Sequence, residues 1–236
     1  MASIYLIRHG QASFGTDDYD RLSELGCRQA EVLGHYFDHR ELHFDAVYTG
    51  ELKRQRKTAA IAVGDKLPAD SHRVDARFNE IDNEAQLNVI TPILLEQRPE
   101  LKAWWEKAQS SSKDYQKLLE QVFNYWVALG ADSPEGLQSW ADYASGARSA
   151  LADVMREQGP GTNSAIFTSG GTIATIVAHV LGADDQATYQ FYEPVINCSI
   201  THLLYNSNKV SLSYYNDHSF LDVLGRQNSE ALITYR

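Results

Sequence analysis

Short apolar runs bounded by turn residues alternate along this chain with longer stretches of helical spacing. Ser3-Ile4-Tyr5-Leu6-Ile7 has strand length and β-branched or aromatic content, and it stops at Arg8-His9-Gly10-Gln11. A polar loop over Ala12 to Leu22, containing Gly15, Asp17 and Asp18, follows it. Ser23 then offers an N-cap, Glu24 sits in the first turn where the macrodipole favours a carboxylate, and Leu25, Gln29, Val32, Leu33, Tyr36 and Phe37 roughly keep helical spacing. Phe44 to Tyr48 is a second short strand, so the opening reads β-α-β and predicts a parallel pair. Glu51 to Gly64 reads as a helix, and Arg73 to Asp82 reads as extended.

From Glu84 to Gln158 strand signals nearly vanish. The stretch is helical in composition and carries Trp104, Trp105, Tyr115, Phe123, Tyr125, Trp126, Trp140 and Tyr143, whose large buried areas suit packing better than a ligand box. Its first part, about 84–135, is read as a helical cap inserted into one domain spanning 1–236, with loops at Ser110-Ser111-Ser112 and from Gly130 to Pro134. The core pattern resumes with a strand at Ser164 to Thr168, a turn at Ser169-Gly170-Gly171, and an apolar helix from Thr172 to Leu181 ended by Gly182. Cys198 to Tyr205 and Val210 to Tyr215 alternate around a polar turn, predicting an antiparallel hairpin at the sheet's edge. Together the elements describe an α/β protein: a three-layer α/β/α sandwich with a mostly parallel sheet, an antiparallel edge and a helical insertion.

Charge narrows the partners. With 21 basic and 31 acidic residues the net charge is −10, which disfavours a general nucleic-acid or anionic-membrane surface and requires a focused basic site for any anionic substrate. Met1-Ala2 leads straight into the first strand and no run approaches a membrane span, so a soluble, cytoplasmic protein is expected. Cys27 and Cys198 lack metal-type spacing and are read as buried thiols on a helix and a strand, not a disulfide. A homodimer is compatible with the sequence.

Candidate chemistry gathers at strand ends, where open α/β sheets bind ligands. Arg8 and His9 arrive together at the first of these. Lys53, Arg54, Arg56 and Lys57 crowd the helix after the second. Arg54 and Arg56 lie roughly 200° apart around a helix, so both cannot address one small ligand, and periodicity does not choose between them. At the third, the backbone N–H groups of Gly170, Gly171 and Thr172 open a helix and suit an anion. His218 falls near the end of the last strand, as a further cation for the site or as a structural residue.

These pieces resemble the histidine phosphatase superfamily, the phosphoglycerate-mutase-like fold, over nearly the whole chain. Leu6-Ile7-Arg8-His9-Gly10-Gln11 is similar to the family's N-terminal catalytic motif, and Leu22 to Ala30 to its first-helix signature. Val47 to Ala59 resembles the second-arginine segment, in which the arginine lies four before the threonine; that selects Arg54. Glu80 matches the family's proton-donor glutamate, and Asn163 to Leu181 its final strand and helix.

The resemblance implies a phosphomonoesterase for a small phosphorylated metabolite, with no metal or other cofactor. His9 would form a phosphohistidine, Arg8 and Arg54 would grip the phosphoryl oxygens, and Glu80 would exchange a proton with the leaving oxygen and then with water. Gln11, Ser169, Gly170 and Gly171 would complete the phosphate site. Ser169 is a departure: most of the family carries a second histidine there, and a hydroxyl cannot bring an imidazolium's charge. That opens one alternative, a catalytically weakened phospholigand-binding or regulatory protein; the resemblance itself leaves another, a phosphoglycerate-mutase-type phosphotransferase, for which Gln86 to Trp105 offers only Arg98 and Lys102 as extra basic residues. A serine hydrolase built on Ser169 with Asp217 or His218 would leave the Arg8-His9 pair unused.

Overall fold

Side-chain alternation along strand β1 (Ala2–Arg8) sets the layering. Ile4 and Leu6 face one side with Tyr48, Phe78 and Ile166; Ile7 turns to the other with Val47, Ala165, Phe167 and Ile200. The computed structural model describes residues 1–13, 20–64, 71–108 and 110–235. Gly15, Asp17 and Asp18 of the loop after β1 lie outside them.

The other strands are β2 (Ala46–Thr49), β3 (His72–Val74), β4 (Asn163–Thr168), β5 (Ile200–Tyr205) and β6 (Val210–Asp217). Among the described residues they form one sheet in the order β3-β2-β4-β1-β5-β6. The first four strands pair in parallel, whereas β5 joins β1 antiparallel and β6 closes the edge as its hairpin partner. Helices α1 (Glu24–His39) and α2 (Lys53–Ala62) cover one face. Helices α3 (Asn83–Gln97), α4 (Lys102–Ala108) and α5 (Ser112–Leu129) form the inserted group, and α6 (Trp140–Gln158) and α7 (Gly170–Leu181) cover the opposite face. Two more follow: α8 (Thr188–Tyr192), and α9 (Ser219–Asn228) beside α1. The α/β architecture and its antiparallel edge are those read from the sequence. No described helix is long and apolar enough to cross a membrane.

Caps fall where the residue types place them. Ser23 accepts from Gly26 N at the head of α1, and Gly182 ends α7 in the left-handed region at φ 63°. The inserted helices have their own core of Ile90, Leu94, Leu118, Val122, Phe123 and Trp126, which docks on Trp140 and Tyr143 of α6 and Tyr189 of α8. That attachment sets a helical wall over one end of the sheet.

Three expectations change. The extended stretch from Arg73 yields strand only to Val74, because the Asp75 carboxylate accepts from Arg77 N and tightens Ala76–Phe78 into a 3₁₀ turn. Cys198 stands before β5, not in it, with φ 58°, and its N–H turns to the carbonyls of Arg8 and His9. Both cysteines are free thiols, Cys198 buried and Cys27 only half-buried.

Candidate active site

The parallel register puts the carboxyl ends of β1, β2 and β4 on one edge, and β1 opens between β4 and β5 with Arg8 and His9 at its end. His9 is 4% exposed. Its backbone N–H donates to Thr168 O at 2.9 Å, and its carbonyl accepts from Asn197 Nδ2 at 3.0 Å and Cys198 N at 3.3 Å. Arg54 Nε donates to His9 Nε2 at 3.1 Å. A guanidinium has no lone pair to offer, so Nε2 is the unprotonated nitrogen and Nδ1–H donates to Gly10 O at 2.7 Å. Burial first, then the positive Arg54 and Arg8, hold His9 well below the usual imidazole range. The result is a neutral imidazole whose lone pair points toward a cation.

The two arginines that periodicity left open differ in placement: Arg54, not Arg56, reaches His9. It occupies the first turn of α2 and is buried, while Arg56 is exposed. Its Nη1 donates to Asp20 Oδ1 at 2.8 Å, and Asp20 Oδ2 accepts from Lys53 N at 2.8 Å, capping a helix whose own N-cap residue, Leu52, has no side-chain acceptor. Thr58 Oγ1 donates to Arg54 O at 2.7 Å and accepts from Gly10 N at 3.0 Å, tying α2 to the turn after His9. Arg8 donates through Nη1 to Val195 O.

Glu80 is placed by its neighbours' backbone. Phe78 O accepts from Thr168 Oγ1 and Gln55 Nε2, and Asn79 O accepts from Thr172 Oγ1, so the segment is fastened across the β4–α7 junction. Glu80 Oε1 then accepts from Gly171 N and Ile81 N, each at 3.0 Å. A Cβ on Gly171 would lie 2.4 Å from Ile81 Cδ1 and 2.6 Å from Glu80 Oε1, so any larger residue would displace these side chains. Burial raises the Glu80 carboxyl above its ordinary range, against the lowering pull of Arg54, Arg8 and the two N–H groups.

Arg8, His9, Arg54 and Glu80 line one cavity of about 700 Å³. Gln11, Ser169, Gly170, Gly171 and His218 are not among its lining residues. Gln11 Oε1 accepts from Ser23 Oγ at 2.9 Å, against α1. Ser169 is fully buried, with Oγ accepting from Gln55 Nε2 at 2.8 Å. The Gly170-Gly171 turn, expected to cradle an anion directly, presents the Gly171 N–H to Glu80 instead, and a Cβ at Gly170 would touch the Tyr192 ring at 3.1 Å. His218 Nδ1 bonds Asn216 O at 2.8 Å ahead of α9.

Sequence reasoning missed several residues that build the site. Asn197 Oδ1 accepts from Thr234 Oγ1, and Gln29 Nε2 donates to Thr234 Oγ1 and Leu232 O, so a buried polar relay from α1 supports the His9 carbonyl. Gly26 lets α1 meet the turn after His9 backbone to backbone: its added Cβ would fall 2.1 Å from Gln11 O. The Leu22 to Ala30 signature carried Gly26 and Gln29, but no local pattern marks Asn197 or Asp20. Trp105 and Tyr115, read as packing residues, line the cavity. Among the described residues no group of three or more His, Cys, Asp and Glu is placed to hold a metal ion.

Comparison with known proteins bears on this geometry. A family model described as "Histidine phosphatase superfamily (branch 1)" matches residues 4–218. A broad-specificity phosphatase of Saccharomyces cerevisiae is 35% identical over 66 residues, which is 25% of this chain and 29% of the relative's length. The solved structure of YhfR from Bacillus stearothermophilus superposes with a TM-score of 0.67 at 19% identity, over 94% of this chain and 100% of that one. A phosphoserine phosphatase mutant of Entamoeba histolytica in complex with phosphoserine gives 0.64 at 17% identity, again over 94% and 100%. At these identities the two structures speak to the fold alone.

Proposed function

Because the chain belongs to the histidine phosphatase superfamily (branch 1), we propose that it hydrolyses small phosphomonoesters in two steps through His9. The observation that carries this reading is the unprotonated His9 Nε2, 3.1 Å from Arg54 Nε, in a cavity that also holds Arg8 and Glu80. Nε2 attacks phosphorus as the ester P–O bond breaks, and protonated Glu80 gives its proton to the leaving oxygen. Water then attacks the phosphohistidine, its proton passes to Glu80, and the N–P electron pair returns to Nε2. Arg54 turns its N–H groups from the imidazole to the equatorial oxygens when phosphate enters. Arg8 and Arg54 thus supply the charge stabilisation, and the reading calls on no metal. The yeast relative's name, a broad-specificity phosphatase, supports the reaction class.

Transfer back to a second substrate position, as a mutase needs, finds no further cation among the described lining residues. Arg98 is engaged with Glu100 and Gln121, Lys102 faces Glu106, and neither lines the cavity. The buried Ser169, where most of the family has its second histidine, favours one other reading: phosphate binding without turnover. Incubation with a radiolabelled aryl phosphate and an alkaline quench separates the two. The expected product is a base-stable, acid-labile phosphoryl adduct on His9; binding without an adduct or turnover would make the protein a phospholigand receptor.

Arg54→Lys gives a second check. An ammonium lacks the fork that reaches His9 and Asp20 together, and kcat/KM should fall by about 10²–10³, the loss of one preorganised donor in other sites. Steady-state kinetics with 4-nitrophenyl phosphate would show it, and an unchanged kcat/KM would remove Arg54 from the phosphate grip.

A further inference from the structure

The cavity that holds the phosphate grip is much larger than a phosphoryl group. Its volume of about 700 Å³ lies in the range that encloses whole organic ligands. The floor is Arg8, His9, Arg54 and Glu80. Trp105, Tyr115 and Leu119 of the inserted helices, Tyr189 and Tyr192 of α8, and Tyr235 line the rest. Trp105 is 40% exposed and Tyr235 57%, so both present ring surface that the fold itself leaves open to solvent. A lining this rich in rings suits an aromatic guest.

The charges on those walls have one sign. Among the described lining residues Arg8 and Arg54 are the only cations, and both stand at the floor. Besides Glu80, the acidic lining residues are Asp82, Glu84 and Glu193. Asp82 is engaged, accepting from Ala85 N as the N-cap of α3. Glu84 and Glu193 are exposed and have no ion-pair partner among the described residues. A phosphate dianion would offset both arginines, leaving these carboxylates to act on whatever the ester carries at its far end.

We infer that this site selects phosphomonoesters of an aromatic alcohol bearing a positive charge, and disfavours esters bearing a second anion. The inference rests on the phosphatase reading of the same site. The ring packs against these lining aromatics, and the cation meets Glu84, Glu193 and the partly exposed Trp105 indole, whose ring attracts cations through its quadrupole. A carboxylate in that position meets two like charges on a chain of net charge −10, and among the described lining residues the only cations, Arg8 and Arg54, are engaged by the phosphate.

Three esters with one phenol core and different tails test it: tyramine phosphate, 4-propylphenyl phosphate and 3-(4-phosphonooxyphenyl)propanoate. Their leaving groups are nearly equal in basicity, so differences report binding. The expected order of kcat/KM is ammonium above propyl above carboxylate, with the ends on the order of tenfold apart and the difference carried by KM. In the Glu84→Gln/Glu193→Gln double variant the ratio should close toward unity, and 2-aminoethyl phosphate, which lacks the ring, should be a poorer substrate than tyramine phosphate. A carboxylate ester as good as the ammonium ester, a ratio unmoved in the double variant, or equal rates for 2-aminoethyl and tyramine phosphates would each overturn the inference. Calorimetric affinities of the same esters for the wild-type protein decide it independently of turnover: the predicted ranking without hydrolysis would sink the phosphatase reading alone, and a flat ranking with hydrolysis would sink the inference alone.

Discussion

Replacing His9 by alanine should lower kcat toward aryl phosphates by on the order of 10⁴–10⁶, the scale on which enzymes lose rate when a covalent nucleophile is removed. Phosphate affinity should survive, because Arg8 and Arg54 remain and Arg54 Nε no longer has the imidazole as its partner. Calorimetry with inorganic phosphate and kinetics with 4-nitrophenyl phosphate separate these effects, and full activity in the alanine variant would show that His9 is not the nucleophile. The wild-type pH profile carries the same assignment. An imidazolium cannot attack phosphorus, and burial together with the two guanidinium groups pushes His9 well below its ordinary range. The fall in activity on the acid side should therefore come below the usual histidine value of about 6.5. Arg54→Lys keeps a positive charge beside His9, so its profile should move less than its rate.

Much of the scaffold was legible because its residues repeat at the periods their elements require. β1, β4 and the closing hairpin alternate or run apolar at strand length, and Ser23 and Gly182 mark helix ends by side-chain chemistry and backbone freedom. Where tertiary contacts take over, local pattern fails. The chain after Val74 leaves the sheet because Asp75 and Asp153 clamp Arg77, a partnership spanning two distant segments. Glu80 stands alone in the sequence, and only the family resemblance singled it out. Its position is set by Thr168, Thr172 and Gln55, which read locally as ordinary strand and helix residues. The inserted aromatics show the same limit from the other side. Phe123 and Trp126 are core against Trp140 of α6, whereas Trp105 and Tyr115 line the cavity, a difference decided by which side of each inserted helix docks on α6 and α8.

Glu80→Gln is expected to lower kcat by roughly 10²–10⁴ for an alkyl phosphate, the usual worth of a positioned general acid. For 4-nitrophenyl phosphate the loss should be much smaller, since nitrophenolate departs without a proton. This contrast isolates proton donation from any general disturbance of the site, because Gln retains the size of Glu and an oxygen for the Gly171 and Ile81 N–H groups. The pH profile gives a second signature. Burial lifts the Glu80 carboxyl above its ordinary range, so its acid form persists past the pH at which a solvated glutamate, near 4.3, has ionised. As pH rises through that lifted value the acid is lost, and wild-type activity on alkyl esters should fall; an amide does not ionise, so the variant should lose this alkaline limb. Equal losses for the two esters with the limb retained would assign the proton to another group. Tyr143 and Tyr192 both feel the Glu80 charge, but burial and that charge hold their hydroxyls protonated well above the phenol range. Neither hydroxyl therefore accounts for a limb that the Glu80→Gln variant loses.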